Sequence, residues 1–187
     1  MRTLKTERLI LRNWQKNDLY DLYEHAKNPN IGPNAGWRPH GNMLDSIKTL
    51  DSFILYGENW AIQHTDDKKV IGIFGLHKDP RRDKVKARKI GYSLNEEYWG
   101  HGLATEAVRA VLDYAFDYMS LDLVSVYHFP HNDRSRKVIE HCGFKFDGVL
   151  RQASKLYDGR VMDEFCYSLL RNEYFIIRSL ESRHTAT

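Results

Sequence analysis

Gly100 and Gly102 flank a single histidine and stand just before the most regular amphipathic segment of the chain, Leu103 to Met119. Glycine allows backbone conformations and close approach that a side chain would block. Free amides at such a helix start, together with the positive end of the helix dipole, make a site for a phosphate or pyrophosphate. The same Gly-x-Gly also serves ordinary tight turns. A dinucleotide fingerprint requires a third glycine where Thr105 stands and a run of parallel strands, and neither is present. No Gly-Lys-Ser/Thr follows, so the nucleotide-phosphate loop of that type is excluded as well.

Other chemistry-bearing residues are less specific. Asn132 or Asp133 can cap a short helix from Ser135 to Cys142 that stops at Gly143, and Ser135 is then a first-turn serine. Glu96 and Glu97 precede the glycine loop and are base candidates, with a solvated helix approach as the simpler role. Asp163 and Glu164, near the chain's end, are comparable. His128-x-x-His131 runs into Phe129-Pro130 without a further ligand at zinc spacing, which argues against a metal. Cys142 and Cys166 are too few for a disulfide scaffold and read as buried free thiols, with nothing nearby to activate a nucleophile.

The elements that must position these groups form a mixed pattern. Arg8 to Trp14 alternates like a half-buried strand. A helix from the cap Asn17 to Asn28-Pro29 follows, then a loop over 30–42 containing Trp37, and a helix from Leu44 to Leu55. Strand signals at Trp60–His64, Val70–His77 and Lys89–Leu94 make an antiparallel meander. The helix from Leu103 and the strand Leu123–Phe129 then form a crossover, which sets Lys89–Leu94 and Leu123–Phe129 parallel. Phe144 to Leu170 reads as two strands around Asp158-Gly159, and 176–187 as a frayed tail behind a single domain over 1–175.

At 187 residues the chain is long enough to bury one substantial core. No apolar run approaches the ~18 residues of a membrane helix, and the start has no signal-peptide core, which leads us to expect a cytoplasmic protein. Net charge is +3, weak for a nucleic-acid binder, and DNA is excluded as a partner. The segment Lys78–Lys89 holds seven Lys or Arg against two Asp, leaving the rest of the chain near −2. It reads as an exposed hairpin loop, with a phosphate or RNA contact as the sharper alternative.

Residues Glu97 to Ala107, Glu-Tyr-Trp-Gly-His-Gly-Leu-Ala-Thr-Glu-Ala, resemble the acetyl-CoA pyrophosphate loop of the GNAT acetyltransferases, in the branch of ribosomal-protein N-terminal acetyltransferases. A second block, Asn132-Asp133-Arg134-Ser135 through Gly143-Phe144, matches that branch, as do Thr6–Arg12 and Tyr167–Arg171. The resemblance covers roughly residues 3 to 175 and implies an α/β fold, with a mixed, mostly antiparallel sheet splayed between two parallel central strands. It implies acetyl-CoA as co-substrate, held by Trp99, Gly100, His101, Gly102, Leu103, Ala104 and Thr105. Backbone amides around Tyr92, Ser93 and Leu94 would polarise the thioester, and Asn132 would hold the pantetheine arm. Ser135 would protonate the leaving thiolate, and Trp37 and Arg38 would shape the acceptor pocket. Where the branch tends to carry a candidate base carboxylate, this chain has Ser154. The implied activity is direct N-acetylation of a protein N-terminus or a small-molecule amine, with a homodimer as a further expectation. The alternatives are a CoA-binding module without turnover and a ribosome-associated protein using the basic loop.

Overall fold

Strand signals in β-branched and aromatic runs, separated by turns and one long helix, assemble into one eight-stranded sheet. The structure, a computed structural model, describes residues 1–184. In chain order the strands are β1 (Leu4–Lys5), β2 (Leu9–Arg12), β3 (Asn59–His64), β4 (Val70–Lys78), β5 (Ala87–Leu94), β6 (Leu123–His128), β7 (Lys145–Lys155) and β8 (Val161–Leu170). Their spatial order is β1-β2-β3-β4-β5-β6-β8-β7. Every neighbouring pair is antiparallel except β5 and β6, which the crossover sets parallel as the sequence implies.

Alternation along the strands makes two apolar faces. On one face Trp60, Phe74, Ile90, Val126 and Leu169 pack beneath α4 (Leu103–Asp113) and α5 (Asp133–His141). On the other, Ala61 and Val70 pack against Leu22 and Ala26 of α1 (Leu19–Lys27) and Leu50 of α3 (Met43–Tyr56). The expected helix Leu103–Met119 keeps regular α winding only to Asp113 and then widens to a π turn at Tyr114–Tyr118. The wider turn buries Phe116 against Tyr174, with ring centroids 4.9 Å apart, while Tyr114 stacks on Tyr118 at 5.2 Å.

Local chemistry moves several boundaries. Asn17 is no cap: the α1 region opens with a 3-10 turn at Lys16–Asp18. There the buried Asp18 takes the Gln15 N–H at 2.8 Å and the Arg12 guanidinium at 2.7 Å. Asn42 caps α3, its Oδ1 accepting from Leu44 and Asp45 N–H. The loop after α1 contains a short helix, α2 (Gly32–Ala35), and Trp37 packs on the α1/α3 core. Residues expected as a tail from 176 belong instead to α6 (Arg171–His184), whose Tyr174 and Ile177 join the core, while 185–187 lie outside the described residues.

The basic segment after β4 is not a free hairpin loop. Asp79, 2% exposed, accepts from Ser125 Oγ (2.6 Å), Tyr127 Oη (2.7 Å), Arg82 Nη1 (3.0 Å) and the Arg81 N–H (3.0 Å). Arg82 also reaches Asp147 at 2.7 Å, and Arg81 reaches Glu164 at 2.7 Å. Two of the seven cations are thereby paired inward. Burial works to raise the Asp79 carboxyl, but these hydrogen bonds outweigh it and hold it at about 2, below its ordinary 3.8. Asp79 therefore stabilises the fold fully above pH 3.8, and the contribution fades as pH falls towards 2. Asp79→Asn is expected to cost about 2–3 kcal/mol, because an amide turns a donor toward donors. Thermal melts should show a deficit of about 5–10 °C at neutral pH, narrowing against wild type below pH 4.

Candidate active site

The parallel ladder between β5 and β6 runs from Ala87↔Leu123 to Ile90↔Val126 and stops. β5 continues to Leu94 and β6 to His128, each still paired on its outer side, so the sheet opens between them. Asn95 N–H bonds the Ile71 carbonyl of β4 at 2.7 Å. Antiparallel alternation then turns the Ser93 and Gly91 backbone toward β4 and the Tyr92 and Leu94 backbone into the gap. Of the three residues Tyr92 to Leu94, two thus aim main-chain groups into the gap. The Leu94 carbonyl is taken by Trp99 Nε1 at 2.8 Å, which anchors the following loop to the strand end. A groove of about 980 Å³ runs from the glycine loop through the gap to Ser154 and Glu164.

Gly100 and Gly102 have φ of +81° and +77°, the left-handed region where a Cβ is strained. Among the described residues, no protein acceptor takes the amides of Gly100, His101, Gly102, Leu103, Ala104 or Thr105. These six donors sit at the positive end of α4, an anion cradle without a protein occupant. The loop is braced from the turn between β1 and β2. Arg8 meets Glu106 at 2.7 Å and donates to the His101 carbonyl at 2.9 Å, and Thr6 Oγ1 donates to Glu106 at 2.5 Å. His101 itself does not line the groove, whereas Trp99, Gly100 and Gly102 to Thr105 do.

Sequence reasoning passed over the opposite wall. Arg134, Lys137 and His141 of α5 line the groove, and the Arg134 guanidinium lies 4.3 Å over the Trp99 ring. Their spacing of three and four residues was the available signal, since it puts them on one helix face. Cations facing free amides, beside a gap edged by unpaired main chain, fit a phosphorylated coenzyme with an extended arm. The residues to hold acetyl-CoA are therefore present.

The structure brings some predicted residues together and disperses others. Ser135 Oγ lies 3.3 Å from Tyr92 Oη, and Asn132 Oδ1 accepts the Ser135 N–H at 3.1 Å. Asn132 Nδ2 reaches the Asn34 carbonyl at 3.3 Å, so it both caps α5 and ties α2 to the groove. Burial raises the Tyr92 hydroxyl, which stays protonated. Glu96 does not reach the groove: Asn30 and Asn28 bind its carboxylate, and those hydrogen bonds lower its pKa, leaving a weaker base. Glu97 is exposed beside Lys69 at 3.7 Å. Asp163 accepts the Gln152 N–H at 2.8 Å where β7 is irregular, and Trp37 and Arg38 are absent from the lining.

Glu164 is the one acidic side chain among the described residues that line the groove. Its Oε1 is 2.5 Å from Ser154 Oγ and its Oε2 faces Arg81 at 2.7 Å. A carboxylate thus stands beside Ser154, carried by the neighbouring strand. His128 ends β6 with Nδ1 on the Phe129 carbonyl at 2.8 Å, its ring against Tyr167 and Phe165, while His131 stacks on Phe129.

The family model described as "Acetyltransferase (GNAT) domain" matches residues 8–145. The "Uncharacterized N-acetyltransferase p20" of Bacillus licheniformis is 31% identical over 180 residues, covering 93% of this chain and 99% of the relative. The "[Ribosomal protein uS5]-alanine N-acetyltransferase" of Escherichia coli is 25% identical over 180 residues, 89% of each. The crystal structure of a GNAT-family acetyltransferase from Bacillus anthracis superposes with a TM-score of 0.83 at 22% identity, covering 91% of this chain and 99% of that one. With the glycine loop, the free amides and the opened parallel pair, these likenesses make the chain a member of the GNAT acetyltransferase family and an acetyl-CoA-dependent N-acetyltransferase.

Proposed function

We propose that this enzyme transfers the acetyl group directly to the α-amine of a peptide or protein N-terminus, in the cytoplasm. The observation that carries the reading is the groove through the sheet, with cofactor-binding features on one face and a single carboxylate on the other. Tyr92, Leu94, Ser135 and the loop face the side covered by α4 and α5. Phe165 and Tyr167 pack on His128 on that same side, so alternation sends Glu164 to the opposite face. Donor and acceptor then meet in the gap from opposite directions. A single carboxylate suits an acceptor with one ammonium better than a polyamine with several. The N-terminal acetyltransferase of ribosomal protein uS5 among the relatives supports the same choice, and the free, buried state of both cysteines suits a reducing compartment.

Bound acetyl-CoA supplies an activated acetyl thioester. The amides of Gly100 and Gly102 to Thr105 hold diphosphate charge, with Arg134 and Lys137 across from them. The Tyr92 and Leu94 amides point at the gap, where they stabilise negative charge developing on the carbonyl oxygen. Glu164 draws in the ammonium; with an amine pKa near ~7.7–8.0, a useful fraction is already neutral at pH 8, so no strong base is required. Ser135 delivers a proton to the departing sulfur and recovers the one shed by the attacking nitrogen, while Tyr92 keeps its own proton and hydrogen-bonds Ser135. Neither Glu96 nor Glu97 is given a role in the chemistry.

The test is an acceptor screen scored by thiol release from acetyl-CoA against α-amine peptides, lysine side chains and polyamines. Preference for α-amines is expected; coenzyme binding without release from any amine would leave only a binding module. Glu164→Gln should raise the KM of a cationic acceptor about tenfold, since it removes the attraction and exposes the ammonium to an unpaired Arg81. The penalty should shrink as pH rises past the amine's own pKa.

A further inference from the structure

Behind the β5 wall of the groove lies a chain of three polar side chains that the steps above leave unused. Ser93 lines the groove, and its Oγ is 2.8 Å from His25 Nε2. His25 Nδ1 is in turn 2.6 Å from Asn95 Oδ1. His25 comes from α1 and is 1% exposed, and Asn95, just beyond β5, is 5% exposed. A carbonyl oxygen only accepts, so Nδ1 carries the ring proton and Nε2 the lone pair. Burial pushes the imidazole down to about 4 against the pull of the Asn95 hydrogen bond, so the ring stays neutral at physiological pH. Buried polar atoms are satisfied in folded proteins, and the proton available to Nε2 is that of the Ser93 hydroxyl. With that proton turned back toward α1, the serine oxygen offers the groove lone pairs alone. The far end of the groove repeats the device, for Ser154 directs its proton to Glu164, which also only accepts.

We propose that His25 is a positioning residue that makes Ser93 an acceptor-only group, so that Ser93 receives an N–H of the incoming amine and orients its lone pair for attack. This rests on reading the groove as the amine site. The selectivity is electrostatic and geometric: a free serine hydroxyl could turn its hydrogen toward the amine lone pair and mask the nucleophile, and His25 prevents that rotation.

The first test needs no substitution. A ¹⁵N imidazole correlation spectrum of the wild-type protein should show His25 protonated at Nδ1; protonation at Nε2 overturns the proposal. The second is a mutant cycle read on acceptor KM, acceptor kcat and acetyl-CoA Kd. Ser93→Ala should raise acceptor KM about tenfold and leave acetyl-CoA Kd unchanged. His25→Phe should lower acceptor kcat/KM at least as much, because the freed hydroxyl can then turn its hydrogen to the amine lone pair and mask the nucleophile. The double variant should be no worse than Ser93→Ala alone, whereas additive losses would assign His25 a merely structural role and overturn the proposal. If His25→Phe does not fold, the spectrum decides. Absence of amine-dependent thiol release by the wild-type chain would defeat the acetyltransferase reading instead, and the spectrum would still report the tautomer.

Discussion

Gly102→Glu should weaken acetyl-CoA binding by about two to three orders of magnitude, with a melting temperature only about 2–8 °C lower. The left-handed φ of +77° costs a side chain roughly 1–2 kcal/mol, which lowers stability by that modest amount. The larger effect is charge. A carboxylate in a cradle of free amides occupies the place of the diphosphate and repels it, by about 4 kcal/mol for unit charges 4 Å apart at a near-surface effective dielectric. At about 1.4 kcal/mol per decade this is two to three decades in Kd. Gly102→Ala shares the strain without the charge and should stay within about tenfold of wild type. Calorimetric titration of the three proteins separates the terms; equal affinity in all three would mean the diphosphate binds elsewhere.

Ser135→Ala should lower kcat by roughly 10- to 100-fold with acetyl-CoA Kd within about twofold. A thiolate, with a thiol pKa near ~8.5, is a fair leaving group, so the loss belongs at the low end for proton delivery. The residue's backbone role survives the change, because Asn132 caps the Ser135 N–H and not its side chain. An acetyl thioester of a more acidic thiol discriminates further. It needs less protonation, and the penalty should shrink with it. A penalty independent of the leaving group would make Ser135 a packing residue beside Tyr92.

Legibility in the sequence followed the range of the interactions. Gly100 and Gly102 were readable because a left-handed loop before a helix admits few other residues, and the β5–α4–β6 crossover was readable because strand, helix and strand are contiguous. The opening after Ile90 and Val126 has no side-chain signature, since it is a place where main-chain pairing ends. The resemblance supplied that expectation, and composition could not. Glu164 and Asp163 are equivalent on paper. They separate only because strand alternation and the irregularity near Gln152, with φ of +50°, send one carboxylate to the groove and the other to a backbone amide. Arg81 and Arg82 looked solvated because Glu164 and Asp147, their partners, stand more than sixty residues downstream. The partners of Glu96 were hidden for the same reason: Asn28 and Asn30 lie two helices and three strands before it. The tail at 176 was underestimated because charges among the isoleucines hid the contact of Ile177 with Gly143.

The opening between β5 and β6 gives this sheet two raw borders in its interior, beyond those at its outer rims. Proteins commonly blunt such borders with proline, charge or a covering helix, since bare strand rims invite foreign chains to zip on. Here the wedge has to stay accessible for turnover, so a coenzyme arm lying between the two borders would cover them while it reacts. Emptying the wedge would then uncover both borders in the same measure as it slows the reaction.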